Sequence, residues 1–223
     1  MPQLPEIDAM TINANHRIAK RSAAALACLA GAGLLLQLWL SLELATRNGN
    51  GWWQGLAMYL GYFTVLTNAL VAVVALRAAR SVDGGLDHAW RGAAVTSIFM
   101  VGLAYHLLLR KIWDPEGAQW VADMTLHYAV PLAALAWWLL LPPRRVMPAL
   151  LPLRWLLWPI GYGIYALARG AATGLYPYYF IDVGTLGLTR VLLNMAALSL
   201  VFVVTAYVMY ALARWRQPGS AKG

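Results

Sequence analysis

The chain has 223 residues, of which 61% are hydrophobic and 12% charged, more apolar surface than a soluble domain of this length can bury. Its formal charge of +8 would suit a nucleic-acid binder, but the basic residues are spread as the positive-inside rule spreads them around a membrane, so no nucleic-acid partner is expected. These numbers describe an all-α integral membrane bundle whose partners are membrane lipids.

Taken in chain order, six runs are uncharged or nearly so over the roughly 20 residues that a hydrocarbon core of about 30 Å requires. They cover residues 22–42, 55–76, 92–109, 123–141, 153–168 and 191–211. The expected organisation is therefore a tail over 1–21, one six-helix transmembrane domain over 22–213, and a tail over 214–223. The first run follows Arg17, Lys20 and Arg21; it is too long for the apolar part of a signal peptide and reads as a retained anchor. Cys28, the single cysteine, has no partner for an intrachain disulfide and is expected to pack as a small apolar residue.

With the amino terminus inside, twelve of the seventeen basic residues fall on the cytoplasmic side, including Arg77, Arg80, Arg91, Arg144, Arg145, Arg154, Arg214, Arg216 and Lys222. The outer five, Arg47, Arg110, Lys111, Arg169 and Arg190, are offset by Glu43, Asp114, Glu116, Asp123 and Asp182. Both termini are therefore expected in the cytoplasm.

The fifth run contains Pro159, which removes one helical hydrogen bond and crowds the preceding turn, so a kink is expected there. The following stretch, RGAATGLYPYYFIDVGTLGLTR, is a long outer loop that carries Tyr176, Tyr178 and Tyr179. These tyrosines suit either an aromatic belt at the membrane surface or a lid over a pocket.

Polar residues inside a bilayer are costly and tend to face the bundle interior or a cavity. In YFTVLTN (62–68), Thr64, Thr67 and Asn68 share one helical face near mid-membrane. His106, His127, Asp123, Arg169, Asn194 and Asp182 all fall on the outer half, with Asp123 four residues before His127 on the same face. The set points to a polar cavity open to the outer side. Each member also has a structural use: threonine bonds back to a carbonyl one turn earlier, and asparagine bridges helices. Thr67 and Asn68 fit that use better.

The blocks YFTVLTNAL, LHYAVPLAALAWW, WPIGYGIYALARG and YPYYFIDV together resemble those of the prokaryotic six-helix membrane proteins called the Pr-six-Pr family. That family is more remotely similar to the androgen-induced and FAR-17a-like membrane proteins, threonine hydrolases of fatty acid esters of hydroxy fatty acids. The resemblance implies a bacterial cytoplasmic-membrane location and places a threonine nucleophile at Thr64 and its histidine at His127. Thr67 and Asn68 directly after Thr64 depart from the pattern. A histidine can take the threonine proton and return it to the leaving alcohol. Asp123 could fix its tautomer, and Asn68 or a loop amide could hold the oxyanion. Along the membrane normal, however, these spans separate Thr64 from His127 by roughly 7 Å.

Three functions follow as expectations: an intramembrane hydrolase of lipid esters, a non-catalytic binder or transporter of a lipid or small amphiphile, and, least favoured, a haem protein with His106 and His127 as axial ligands. The first two need no cofactor. No ligand spacing for a metal is present.

Overall fold

The computed structural model describes residues 6–80, 88–140 and 147–216. Arg144, Arg145, Lys222, Leu141 and the first residues of the expected amino-terminal tail lie outside the described residues. Every regular element among the described residues is helical: α1 (Glu6–Arg47), α2 (Trp52–Gly61), α3 (Phe63–Arg80), α4 (His88–Ala104), α5 (Gly117–Met124), α6 (Val130–Leu140), α7 (Leu151–Trp155), α8 (Leu157–Thr173), α9 (Val183–Leu186) and α10 (Leu188–Trp215). Four stretches, Arg17–Arg47, Phe63–Arg80, Ala89–Leu109 and Leu188–Trp215, are long and apolar enough to cross a membrane. The chain is a helical membrane protein.

Leucine, alanine and valine sequences form these helices because lipid offers the backbone no hydrogen-bond partner, so each segment must satisfy its own N–H and C=O groups. What needs explaining is where the helices stop being regular. Beyond Ala104, α4 widens into a π turn over Tyr105–Leu109, closed by Arg110 N–H donating to the Tyr105 carbonyl at 2.8 Å. A second π turn, Thr125–Ala129, joins α5 to α6. It precedes Pro131, which cannot donate to the His127 carbonyl four residues back and crowds it. That carbonyl turns to α4, where a Cβ on Gly102 would stand 3.0 Å from it.

The fifth expected span is divided at Leu156 into α7 and α8, one turn before Pro159, and so bends where the proline predicts. The second expected span is also divided: Tyr62 is extended, with φ −89° and ψ 133°, between α2 and α3. No proline stands in that stretch.

Helix α4 occupies the centre, packed against α3, α6, α7 and α10, while α1 lies along α2, α3, α5 and α6. The main core surrounds the fully buried Trp138 and Trp155, whose rings meet edge to face at 6.0 Å. Gly92 admits the Trp155 indole against α4, where a Cβ would collide with it, and the Trp138 indole donates to the Met209 carbonyl at 3.2 Å. Two expectations are corrected. Cys28 is exposed on the outer face of α1 rather than packed within the bundle. The loop after the fifth span is shorter than 169–190, because α8 continues to Thr173 and ends on left-handed Gly174 (φ 72°), a conformation that glycine adopts without strain.

Candidate functional site

The Tyr62 break places Thr64 in the first turn of α3, with only 8% of its surface exposed. Its Oγ1 lies 3.2 Å from His127 Nε2. The imidazole Nδ1 lies 3.1 Å from Asp123 Oδ1 and 3.2 Å from the Asp123 carbonyl oxygen. A carboxylate and a carbonyl only accept, so the ring proton sits on Nδ1 and Nε2 is left as the acceptor for the Thr64 hydroxyl. Asp123 is 3% exposed, and a buried carboxylate is at its most effective in holding an imidazole orientation. Tyr105 stacks on the other face of the ring, 4.1 Å between centroids and 19° between planes.

Sequence spacing had separated Thr64 and His127 along the membrane normal, and the fold removes that offset. The helical stretch that carries His127 begins at Gly117, not at residue 123, so His127 lies about 15 Å along it. The second begins at Trp52, and its extended break resets the rise just before Thr64. The second π turn shifts the side chains that follow it relative to a regular helix, and His127 occupies its middle.

The break itself is held from a distance. On the α2 side, the final carbonyls lack helical partners, and two tyrosines of α8 supply them: Tyr162 Oη donates to Gly61 O at 2.9 Å and Tyr165 Oη to Leu60 O at 3.2 Å; on the same face of α8, Arg169 Nη2 adds a bond to Ala57 O at 3.3 Å, within the last turn and a half of α2. A Cβ on residue 61 would approach Arg169 Nη1 to 2.9 Å, so glycine there admits the guanidinium. On the α3 side, the Phe63 N–H donates to Tyr178 Oη at 3.0 Å.

The other expected site residues separate into those beside Thr64 and His127 and those that hold the frame. Asn68 Nδ2 donates to Thr64 O at 2.8 Å and to Leu126 O at 3.3 Å, which ties α3 to the second π turn. Both of its donors are committed, so the expectation that Asn68 holds an oxyanion is corrected. Thr67 accepts from Trp158 Nε1 at 3.1 Å and is fully buried. Asp182 caps α9, accepting from Thr185 N and Oγ1 at 3.1 and 2.9 Å, and Asn194 Nδ2 donates to Phe180 O at 2.8 Å. Those two fix the aromatic loop and do not join the Thr64 cluster. His106 is exposed and pairs with Tyr128 Oη at 3.1 Å. Tyr176 packs on Gly170, Tyr179 is exposed, and only Tyr178 of the three reaches the break.

A cavity of about 240 Å³ opens beside Thr64 and His127. Its walls come from α4, α8, α10 and the aromatic loop, among them Met100, Val101, Ile160, Ile164, Leu198 and Phe202. The walls are chiefly hydrocarbon, with polar groups gathered near Thr64, where the sequence had suggested a polar cavity. Ile160 and Ile164 line the cavity and are also 47% and 66% exposed on the outer face of α8, so the partition between cavity and surrounding lipid is one side chain thick.

Tyr105, Tyr162, Tyr165 and Trp158 were not singled out from the sequence. A usable signal existed for two of them: Tyr162, Tyr165 and Arg169 recur at the three- and four-residue spacing of one helical face. The stack of Tyr105 on His127 depends on two π turns and has no counterpart in residue spacing. Comparison of the chain with protein families, with characterised proteins and with solved structures finds no match.

Proposed function

We propose that this protein is an intramembrane hydrolase of lipid esters, with Thr64 as nucleophile, His127 as general base and then general acid, and Asp123 as the group that orients and stabilises the imidazole. The observation that carries the reading is the linear set Thr64 Oγ1, His127 Nε2, His127 Nδ1, Asp123 Oδ1, with separations of 3.2 and 3.1 Å, at the edge of an apolar cavity. A nucleophile, a base in hydrogen-bond reach and a third group fixing the base are the elements of acyl transfer on unrelated folds.

In this mechanism Oγ1 bonds to the ester carbonyl carbon as Nε2 takes its proton. The tetrahedral adduct collapses, the alcohol leaves with the proton held by His127, and the acyl group stays on Thr64. Water, deprotonated by the same nitrogen, releases the carboxylic acid and restores the hydroxyl. The cavity accommodates the acyl chain, and its thin wall at Ile160 and Ile164 suits lateral admission of a substrate already dissolved in the bilayer. Six membrane crossings, with α2–α3, α5–α6 and α7–α8 as broken spans, both termini in the cytoplasm and residence in a bacterial inner membrane complete the proposal. The resemblance of the Thr64 and His127 blocks to the membrane threonine hydrolases supports it.

A haem reading is disfavoured by the site itself, because both ring nitrogens of His127 are engaged by protein groups. The hydrocarbon lining also suits a lipid carrier without chemistry, and one experiment separates the two. Detergent-purified wild type should react with a long-chain fluorophosphonate, Thr64→Ala and His127→Ala should not, and Thr67→Ala should. An unreactive wild type that copurifies with lipid would establish the carrier instead.

A further inference from the structure

Acyl transfer in a hydrocarbon cavity needs a donor for the oxygen that becomes negative, because an unpaired charge there is far costlier than in water. Asn68 is committed elsewhere, and neither lysine nor arginine lines the cavity. Three phenols do: Tyr105, Tyr162 and Tyr178. The Tyr162 hydroxyl donates to Gly61 O, and Tyr105 is taken up by its stack on the His127 ring. Tyr178 remains. Its oxygen accepts the N–H of Phe63, the residue before Thr64, at 3.0 Å, and Tyr178 and Thr64 line the same cavity. An oxygen that accepts from backbone N–H still carries its own proton for donation.

The ring of Tyr178 is held in place by Phe180, stacked on it at 5.2 Å and 5°, and by the edge of Tyr62 at 6.0 Å. Phe180 is in turn held through its carbonyl by Asn194. A phenol is neutral throughout the physiological range, so Tyr178 carries a proton to donate.

We infer that Tyr178 is a catalytic residue of this site, donating its O–H to the carbonyl oxygen of a bound, uncharged acyl ester as Thr64 Oγ1 adds to the carbonyl carbon. As that bond forms, the carbonyl π pair moves to oxygen, the Thr64 proton passes to His127, and the Tyr178 hydrogen bond shortens onto the oxyanion. The first-turn N–H groups of α3, whose dipole favours negative charge at this end, reinforce it. The break at Tyr62 therefore has a chemical use: it presents a helix start, a nucleophile and a phenol at one point inside the bilayer. This inference rests on the hydrolase reading.

The test is hydrolysis of p-nitrophenyl decanoate by the full chain in detergent, with kcat and KM read separately and folding followed by thermal denaturation. Tyr178→Phe should lower kcat by about 10²-fold, the effect of removing one oxyanion donor, with KM within about twofold. Tyr207→Phe removes a phenol hydroxyl from α10 that neither lines the cavity nor bonds to the break, and should leave kcat within about twofold. If Tyr178→Phe does not fold, 3-fluorotyrosine at 178 keeps the hydroxyl and makes it a stronger donor, and kcat should rise by roughly twofold. An active wild type with an inactive Thr64→Ala, but with kcat unchanged in Tyr178→Phe or in the fluorotyrosine protein, overturns the role of Tyr178 alone. A wild type that neither hydrolyses the ester nor reacts with fluorophosphonate overturns the hydrolase reading and this inference together.

Discussion

The break between α7 and α8 is caused by one local residue, whereas the break between α2 and α3 is maintained by four residues from distant parts of the chain. At Leu156 the cause is Pro159, which lacks the N–H that would close the preceding turn, and the chain makes do with a local bond, Leu156 N–H to Leu153 O at 3.3 Å. At Tyr62 no proline intervenes, and a regular helix through YLGYFTVL would satisfy its own backbone. Opening it exposes carbonyls and an N–H that Tyr162, Tyr165 and Tyr178 then take up, and Arg169 adds a bond to Ala57 O. Inside a membrane such replacement is obligatory, since no water can serve. A break that draws hydrogen bonds from an adjacent helix and a loop is maintained by the fold, and it coincides with Thr64, the proposed nucleophile. The proline break coincides with the wall of the cavity, where a bend shapes space without placing a reactive atom.

If the Tyr62 break serves chemistry, the largest response should come from the groups it brings together. Asp123→Asn keeps the side-chain volume but removes the carboxylate that holds the proton on His127 Nδ1. The rate of fluorophosphonate reaction should fall by about 10³- to 10⁴-fold with the fold intact, as for tautomer errors in comparable triads. Stopped labelling followed by gel fluorescence would measure it, and a loss below about tenfold would place Asp123 outside the mechanism.

The next response should be structural. Arg169→Leu strips the guanidinium from Ala57 O and Leu175 O and should destabilise the protein by about 1–2 kcal/mol, the range for a partly exposed charged donor. A thermal-shift series in detergent would report it as a lowered midpoint, with the residual folded protein reacting more slowly because Thr64 is less well placed. The smallest response belongs to the other break. Pro159→Ala returns one N–H to α8 and should move stability by under about 1 kcal/mol, since α7 and α8 are already held by the packing of Trp155 and Leu151. A midpoint that falls as far for Pro159→Ala as for Arg169→Leu would erase the distinction between the two breaks.

Much of the framework was legible in the residues. The membrane character followed from composition, and the bend in the fifth span from Pro159. The Thr64–His127 pairing followed from the resemblance of short blocks rather than from spacing, which placed the two apart in depth. The remainder was not legible because it arises between helices. Nothing local in YFTVLTN marks Tyr62 as extended, and nothing near Asp123 showed that its helix begins at Gly117. Asp182, Asn194 and Arg169 were grouped with the site by depth alone. Depth locates a residue along the membrane normal but not around a helix axis or within a loop, and all three instead hold the loop and the break that position Thr64. Of the two readings of Asn68, the structural one matches its bonds to Thr64 O on its own helix and to Leu126 O across to another, and the oxyanion one does not.

The most direct measurement is mass spectrometric mapping of the fluorophosphonate adduct on the purified wild-type protein. The geometry predicts a single phosphonyl group on the peptide containing Thr64, absent from Thr64→Ala and from His127→Ala. An adduct on Thr67, on a residue outside the cavity, or one that persists in Thr64→Ala would contradict the assignment of Thr64 as the nucleophile presented by the broken helix.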